Sequence, residues 1–331
     1  MVITKTPFRI SFFGGGSDYP VYYENNGGGA VLSTSINKYC YITCRHLPPF
    51  FEHKHRIVWS KTELVKDIEE IQHSSVRETL KFLNIQKGVE IHHEADLPAR
   101  SGLGSSSSFT VGLLHALYAL SGKMVTKRQL ALDAIHIEQE RLKENVGSQD
   151  QTAAAFGGFN KIEFGGSHKI NVLPIALGHD RLNAFQDHLM MFFTGLARNS
   201  SEVAAEQILN TPKKTAEIKR MLEMVGEAVT MLEKGSFDDF GALLHESWQI
   251  KRGLTSQITN SFIDEVYEAG REAGAIGGKL LGAGGGGFIL FFVKPERQSK
   301  VREKLNKLLC VPFKFEKFGS HIIHYAPSEE I

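Results

Sequence analysis

The sequence predicts a two-domain α+β protein with a cleft between its two layers. Three observations predict it. The chain has 331 residues, which corresponds to about two domains of roughly 150 residues each. Its first half mixes strand-like and helical runs. Its second half opens on an apolar strand, continues through four helical stretches, and ends in strands flanking a glycine run and a last strand. The loop between Pro174 and Gln186 is the expected boundary, giving domains 1–180 and 181–331.

Taken in order, Val2–Phe13, Gly29–Arg45, His55–Trp59 and Val89–Ala95 read as strands. Helical periodicity covers Ser106–Ser121, with Phe109, Leu113, Leu114, Leu117 and Leu120 on its apolar face, and then Thr126–Asn145. A small-residue segment, Thr152–Gly158, leads to a strand at Phe159–Phe164. The second half should hold a strand at His188–Thr194 and helices near Ser200–Leu209, Thr215–Lys234, Asp238–Arg252 and Ser261–Ala273. Strands on either side of Gly282–Gly287, a basic helix at Pro295–Leu309 and a strand near His321–Ala326 complete it.

Composition excludes several classes. Lys plus Arg (38) nearly balances Asp plus Glu (37), a net charge of +1, so the strong basic field of a nucleic-acid binder is absent. No apolar run approaches the roughly 20 residues that span a membrane. The N-terminus runs into a strand without a long apolar region, so no signal peptide is expected and the protein should be cytoplasmic. Cys40, Cys44 and Cys310 are odd in number with no CxxC pair. Cys40 and Cys44 share one face of a strand and read as small buried hydrophobes in a reduced compartment. His53, His55, His92 and His93 lie in strand-like segments without a Cys/His partner set and read as packed or solvated side chains.

The most informative segment is Leu97-Pro-Ala-Arg-Ser-Gly-Leu-Gly-Ser-Ser-Ser-Ser-Phe109. It follows a strand and opens a helix. Gly102 and Gly104 permit backbone conformations closed to residues with a Cβ. The serines then set hydroxyls and unpaired N–H groups at a helix N-terminus, whose partial positive charge attracts phosphate. A flexible linker would not sit between a strand and a helix, and a simple cap needs one serine rather than four. No GxxxxGK[ST] or G-x-G-x-x-G spacing occurs here, so the loop is neither a Walker A nor a dinucleotide fingerprint.

Pro98-Ala-Arg-Ser-Gly-Leu-Gly-Ser-Ser-Ser107 resembles the P-x-x-x-G-L-G-S-S-[AS] motif of the GHMP kinases. Two further segments fit that resemblance in order. Thr6-Pro-Phe-Arg-Ile-Ser-Phe-Phe-Gly-Gly-Gly-Ser-Asp-Tyr19 is similar to the first family motif, and Lys279-Leu-Leu-Gly-Ala-Gly-Gly-Gly-Gly-Phe288 to the third. The resemblance implies the GHMP kinase fold, with the active site in the interdomain cleft, an ATP-binding N-terminal domain and a ferredoxin-like C-terminal domain. It implies an ATP-dependent sugar kinase using Mg2+.

The implied site follows residue by residue. Gly102, Leu103, Gly104, Ser105, Ser106 and Ser107 would cradle the ATP phosphates, with Ser106 also on magnesium. Arg9 would stand at the catalytic centre, Asp18 would grip sugar hydroxyls, and Gly16 and Tyr19 would line the same place. Gly147-Ser-Gln-Asp-Gln-Thr152 resembles the region supplying the acceptor-side carboxylate, which assigns Asp150 as catalytic. Without the resemblance, an acid in that glycine-flanked turn would read as a cap. If Arg9 is adjacent, its charge should favour an ionised Asp150. Glu138, twelve residues earlier, is the implied metal carboxylate; Glu140, two positions on, points to another helix face. Gly284 and Gly285 would close over substrate and phosphate.

Among sugar kinases, the three segments look closest to bacterial D-glycero-D-manno-heptose 7-phosphate kinases, with fucokinase-type enzymes as the alternative. A sugar and ATP sensor on the same fold is disfavoured by the intact Arg9, Ser106, Glu138 and Asp150. A decarboxylase on this fold is disfavoured by the sugar-type Gly-Ser-Asp-Tyr at 16–19. A heptose phosphate needs a cation at the far end of its pocket, and Arg198, between a strand and a helix, is the candidate. The expected partner is a small-molecule sugar phosphate, with no nucleic acid and no membrane; a homo-oligomer is allowed.

Overall fold

The computed structural model describes residues 1–165, 170–195 and 200–326. The first part of the chain runs through β1 (Val2–Phe13), a one-turn α1 (Pro20–Tyr23), β2 (Gly29–His46), β3 (His55–Val58), β4 (Thr62–Val65), α2 (Ser74–Phe82) and β5 (Val89–Ala95). It continues with α3 (Ser105–Leu120), α4 (Lys127–His136), α5 (Gln149–Phe156), β6 (Phe159–Phe164) and β7 (Ile170–Pro174). The second part holds α6 (His179–Asp187), β8 (Leu189–Phe193), α7 (Ser200–Asn210), α8 (Thr215–Lys234), α9 (Phe237–Arg252) and α10 (Ser261–Glu272). Then come β9 (Ala275–Leu280), β10 (Phe288–Val293), α11 (Gln298–Lys304), β11 (Leu309–Cys310) and β12 (His321–Tyr325).

Two sheets organise these elements. The first is eight-stranded, ordered β12-β1-β2-β5-β3-β4, with β6 joining β2 and β7 joining β6. The long strand β2 makes the branch: Gly29–Thr34 pair with β6, and Cys40–His46 pair with β5. The second sheet is four-stranded and antiparallel, ordered β11-β8-β10-β9, the ferredoxin-like half. Most of the stretch read as the boundary loop, Pro174 to Gln186, is helix α6, and the division at 180/181 lies inside that helix. The last strand crosses back, however, and pairs antiparallel with β1, so the first sheet draws on both ends of the chain.

Several local expectations need correction. Helix α3 has no polar face along most of its length, because it lies beneath the first sheet and also against α4 and α5; Thr110, Gly112 and Ala116 are as buried as Leu113. Gly112 lets it approach β1, where a Cβ would stand 2.8 Å from Thr6 Oγ1. The helix expected to 145 ends at His136 and passes into a π-turn, Ile137–Arg141. Residues 149–156 are helical, although read as a turn and a small-residue segment. The basic helix is only Gln298–Lys304 after a 3-10 turn. Cys40 and Cys44 are buried free thiols.

An aromatic cluster ties the two halves. Phe12 of β1 meets Phe240 of α9 and Phe185 of α6, each at 5.8 Å, and Phe185 meets Phe292 of β10 at the same distance. All four are fully buried. Each such ring contributes about 1.5–3 kcal/mol by burial. The base of the cleft is therefore a shared core, and the site above it is held from both sides.

Candidate active site

A cavity of about 320 Å³ opens between the N-terminus of α3, the loop after β1 and the second sheet. Strand β1 delivers Arg9 to its floor, 5% exposed. The guanidinium grips Asp150 with two parallel bonds: Nε donates to Oδ1 and Nη2 to Oδ2, both at 2.8 Å. Its third arm, Nη1, donates to the Gly102 carbonyl at 2.8 Å. A bidentate arginine fixes a carboxylate in plane as well as in position. Asp150 sits in the first turn of α5, a helix where the local reading had a turn, and it lines the cavity. Its side chain keeps about a quarter of its surface open to the cavity.

The phosphate loop divides its work among adjacent residues. Gly104 takes a left-handed conformation, φ 75°, and turns the chain into α3. Leu103 sends its side chain into the core and uses its carbonyl to accept the Arg9 N–H at 3.0 Å. Ser105 Oγ accepts the Arg100 N–H at 3.2 Å, and Ser106 is exposed on the cavity wall. Ser107 donates inward to Glu138 Oε2 at 2.8 Å, and Ser108 donates to the Pro7 carbonyl at 2.9 Å. Free amide hydrogens and one open hydroxyl at a helix N-terminus suit a polyphosphate.

Glu138 lies wholly buried behind the loop, also accepting from Gln151 Nε2, while Glu140 is exposed. Burial pushes its carboxyl up to about 7, opposed by the Ser107 hydroxyl. Its Oε1 has no hydrogen-bond partner among the described residues. Ser106, open on the cavity wall, and Glu138, behind Ser107, are the two oxygen donors that would hold a divalent cation here. No cluster of three or more His, Cys, Asp or Glu side chains that could hold a metal ion occurs among the described residues.

Asp18 and Tyr19 come from the loop after β1. Asp18 is 2% exposed and accepts the Gly16 N–H and the Gln149 Nε2, each at 3.0 Å. Gly147 makes the room, since a Cβ there would stand 1.9 Å from Asp18 Oδ2. Burial first, and then the charge of Asp150, push the Asp18 carboxyl up to about 6. Tyr19 lines the cavity with its phenol pKa raised by burial and by Asp18.

A stability prediction follows from Asp18. Its pKa is higher folded than the ordinary 3.8, so the native state binds the proton more tightly and stability falls as pH rises from 3.8 to 6. The full cost, about 3 kcal/mol in order of magnitude, is present above pH 6. Asp18→Asn removes it, and a flipped Gln149, whose Oε1 is otherwise unpaired, can accept the new amide. Thermal melts should show Asp18→Asn several degrees more stable at pH 8, with that gain more than halved at pH 4.5. An unchanged or lower melting temperature at pH 8 would contradict it.

The third glycine motif acts differently from expectation. Gly284 and Gly285 do not line the cavity; Gly285 donates its N–H to the Ile258 carbonyl at 2.9 Å, and Gly284 packs on Ile258. Gly282 and Ala283 face the cavity instead. Gly282 lies directly against Gly102, so the C-terminal turn braces the phosphate loop backbone to backbone. Arg198 lies outside the described residues.

Among the cavity residues to which the sequence pattern gave no role are Lys251, in the last turn of α9, and Lys279, near the end of β9. A signal existed. Lys251 continues the buried stripe Leu244–Trp248, and Lys279 is the one charge in an apolar strand.

A family model described as GHMP kinases N terminal domain matches residues 67–158, and one described as GHMP kinases C terminal matches 228–309. The chain is 27% identical over 319 residues to the D-glycero-alpha-D-manno-heptose 7-phosphate kinase of Campylobacter jejuni subsp. jejuni serotype O:2, covering 92% of this chain and 93% of that protein. It is 30% identical over 247 residues to a mevalonate kinase of Thermococcus sibiricus, covering 69% of this chain and 68% of that protein. A crystal structure of a D-glycero-D-manno-heptose 1-phosphate kinase from Bacteriodes thetaiotaomicron superposes with a TM-score of 0.80 at 25% identity, over 98% of this chain and 99% of that one.

Proposed function

Because this chain belongs to the GHMP kinases, ATP-dependent phosphotransferases acting on hydroxyl groups, and is a sugar kinase among them, we propose that its acceptor is D-glycero-D-manno-heptose 7-phosphate. The γ-phosphoryl group of ATP passes to the anomeric hydroxyl, giving the 1,7-bisphosphate and ADP, for nucleotide-activated heptose and surface glycan synthesis. The carrying observation is that Asp18 and Asp150 face one cavity, the first buried and the second clamped by Arg9. Two carboxylates suit an acceptor rich in hydroxyls, one gripped and one reacting.

In this reading Asp150 orients the acceptor hydroxyl and takes its proton as the oxygen–phosphorus bond forms and the bond to ADP breaks. Arg9 keeps the carboxylate in place and adds positive charge to the floor. Phosphoryl transfer is usually loose, so positioning and charge neutralisation carry most of the catalysis. Magnesium, held by Ser106 and Glu138, would neutralise phosphate charge when bound. Reduced Cys40, Cys44 and Cys310 and the use of ATP suit the cytoplasm. The reaction calls for no nucleic-acid or membrane partner.

The two heptose kinases above differ in the phosphate their acceptor carries. The test is a coupled ADP-release assay with Mg-ATP and, in parallel, heptose 7-phosphate, heptose 1-phosphate, fucose, galactose and mannose. Turnover confined to heptose 7-phosphate is the expected result. Turnover with heptose 1-phosphate or fucose in its place would replace the acceptor and leave the kinase standing.

A further inference from the structure

We infer that Lys251 and Lys279 form a second phosphate-binding site, on the C-terminal wall of the cleft facing the phosphate loop. The inference rests on the kinase reading of this cavity and adds residues to it. Lys279 is 3% exposed and Lys251 6% exposed, and both line the cavity. Lys279 Nζ donates to the Phe12 carbonyl at 2.7 Å. Lys251 Nζ donates to the carbonyls of Leu280, at 3.3 Å, and Gly282. Among the described residues no ion pair joins either ammonium to a carboxylate.

The local charge balance makes this arrangement unusual. Arg9 is committed to Asp150, and Asp18 is occupied by Gly16 and Gln149. Lining the cavity are four cations, Arg9, Arg100, Lys251 and Lys279, against three anions, Asp18, Glu144 and Asp150. Burying an ammonium costs several kcal/mol unless an opposite charge or good hydrogen bonds offset it. Burial, then the repulsion of Arg9, holds Lys251 down to about 8; burial, then Lys251 and Arg9, push Lys279 well down from the usual lysine range, and the charge of Asp18 opposes both shifts. An ammonium has three donors. The carbonyls account for one on Lys279 and two on Lys251, leaving N–H groups for a ligand.

A tetrahedral dianion answers both deficits at once. The position agrees: Lys251 bonds Gly282, Gly282 abuts Gly102, and the Gly102 carbonyl takes the third arm of Arg9. The lysines thus approach the reacting centre from the side opposite the α3 N-terminus. The phosphate has two sources, the γ-phosphoryl group of ATP or the ester carried by the acceptor.

The experiment starts with the wild-type chain and needs no acceptor. Inorganic phosphate, against chloride at matched ionic strength, should raise its melting temperature by a few degrees. The increment should disappear in Lys251→Met and Lys279→Met. Calorimetric titration of each variant then assigns the source. A loss of at least tenfold for Mg-AMPPNP with Mg-ADP binding unchanged identifies the γ-phosphoryl group. A tenfold loss for heptose 7-phosphate alone identifies the acceptor's ester. Absence of any phosphate effect on the wild type overturns the site even if both variants fold poorly. Variants that keep wild-type affinity for all three ligands also overturn it. The failure of heptose 7-phosphate to bind the wild type would remove the proposed acceptor and leave the phosphate and AMPPNP results to stand.

Discussion

Asp150→Asn should lower kcat by about a hundredfold to ten-thousandfold, the range of a positioned general base, while Mg-AMPPNP binding changes by less than about threefold. The side chain keeps its shape but loses the charge that the acceptor hydroxyl meets. It also leaves the Arg9 guanidinium, 5% exposed, with a weaker partner for its two bonds. Arg9 touches the phosphate loop through Gly102, so a small change in nucleotide affinity is expected. Steady-state kinetics paired with calorimetric titration separate the two effects. A variant that retains a tenth or more of its kcat would show that Asp150 is structural, and the acceptor-side role would pass to another group.

Gly102→Ala should reduce activity at least about a hundredfold and also destabilise the fold. Two costs add at this position. Its φ is +83°, a conformation costing an L-residue about 1–2 kcal/mol. A Cβ would also stand 2.4 Å from the Leu281 carbonyl oxygen, and that atom belongs to backbone braced by the second sheet. The phosphate loop and the C-terminal glycine turn would have to separate, carrying with them the carbonyl that Arg9 bonds. Gly122→Ala is the matched control, since Gly122 has φ +69° with nothing within 4 Å of its Cβ. The control should lose a few degrees of melting temperature and keep its activity. If both variants lose activity equally, the contact between the two glycine loops is not what holds the site.

That contact also bears on how the halves move. The phenylalanine cluster joins them at the base, and Gly102 against Gly282 joins them at the active cavity. The wall opposite the phosphate loop is thus fixed backbone, and the second-sheet lysines stand on it. Preorganised charge of this kind costs folding stability and reduces rearrangement during reaction.

What the sequence determined by itself was local and periodic. The strand-like run Val2–Phe13 marked β1 and placed Arg9 on it. The run Gly102-Leu-Gly-Ser-Ser-Ser-Ser108 marked a phosphate loop opening a helix, because torsional freedom and capping are properties of a few adjacent residues. Asp18 and Asp150 were legible through resemblance. Only the tertiary structure decided which residues meet. Arg9 and Asp150 lie 141 positions apart, and Lys279 and the Phe12 carbonyl 267 apart. It also turned Ser107 rather than Ser106 toward Glu138, brought Gly282 rather than Gly284 to the cavity, and paired β12 with β1. The physical reason is common to all of these. A pattern along the chain records which face a residue prefers, whereas the partner it finds there is set by how distant elements pack and which buried charges they leave to be matched.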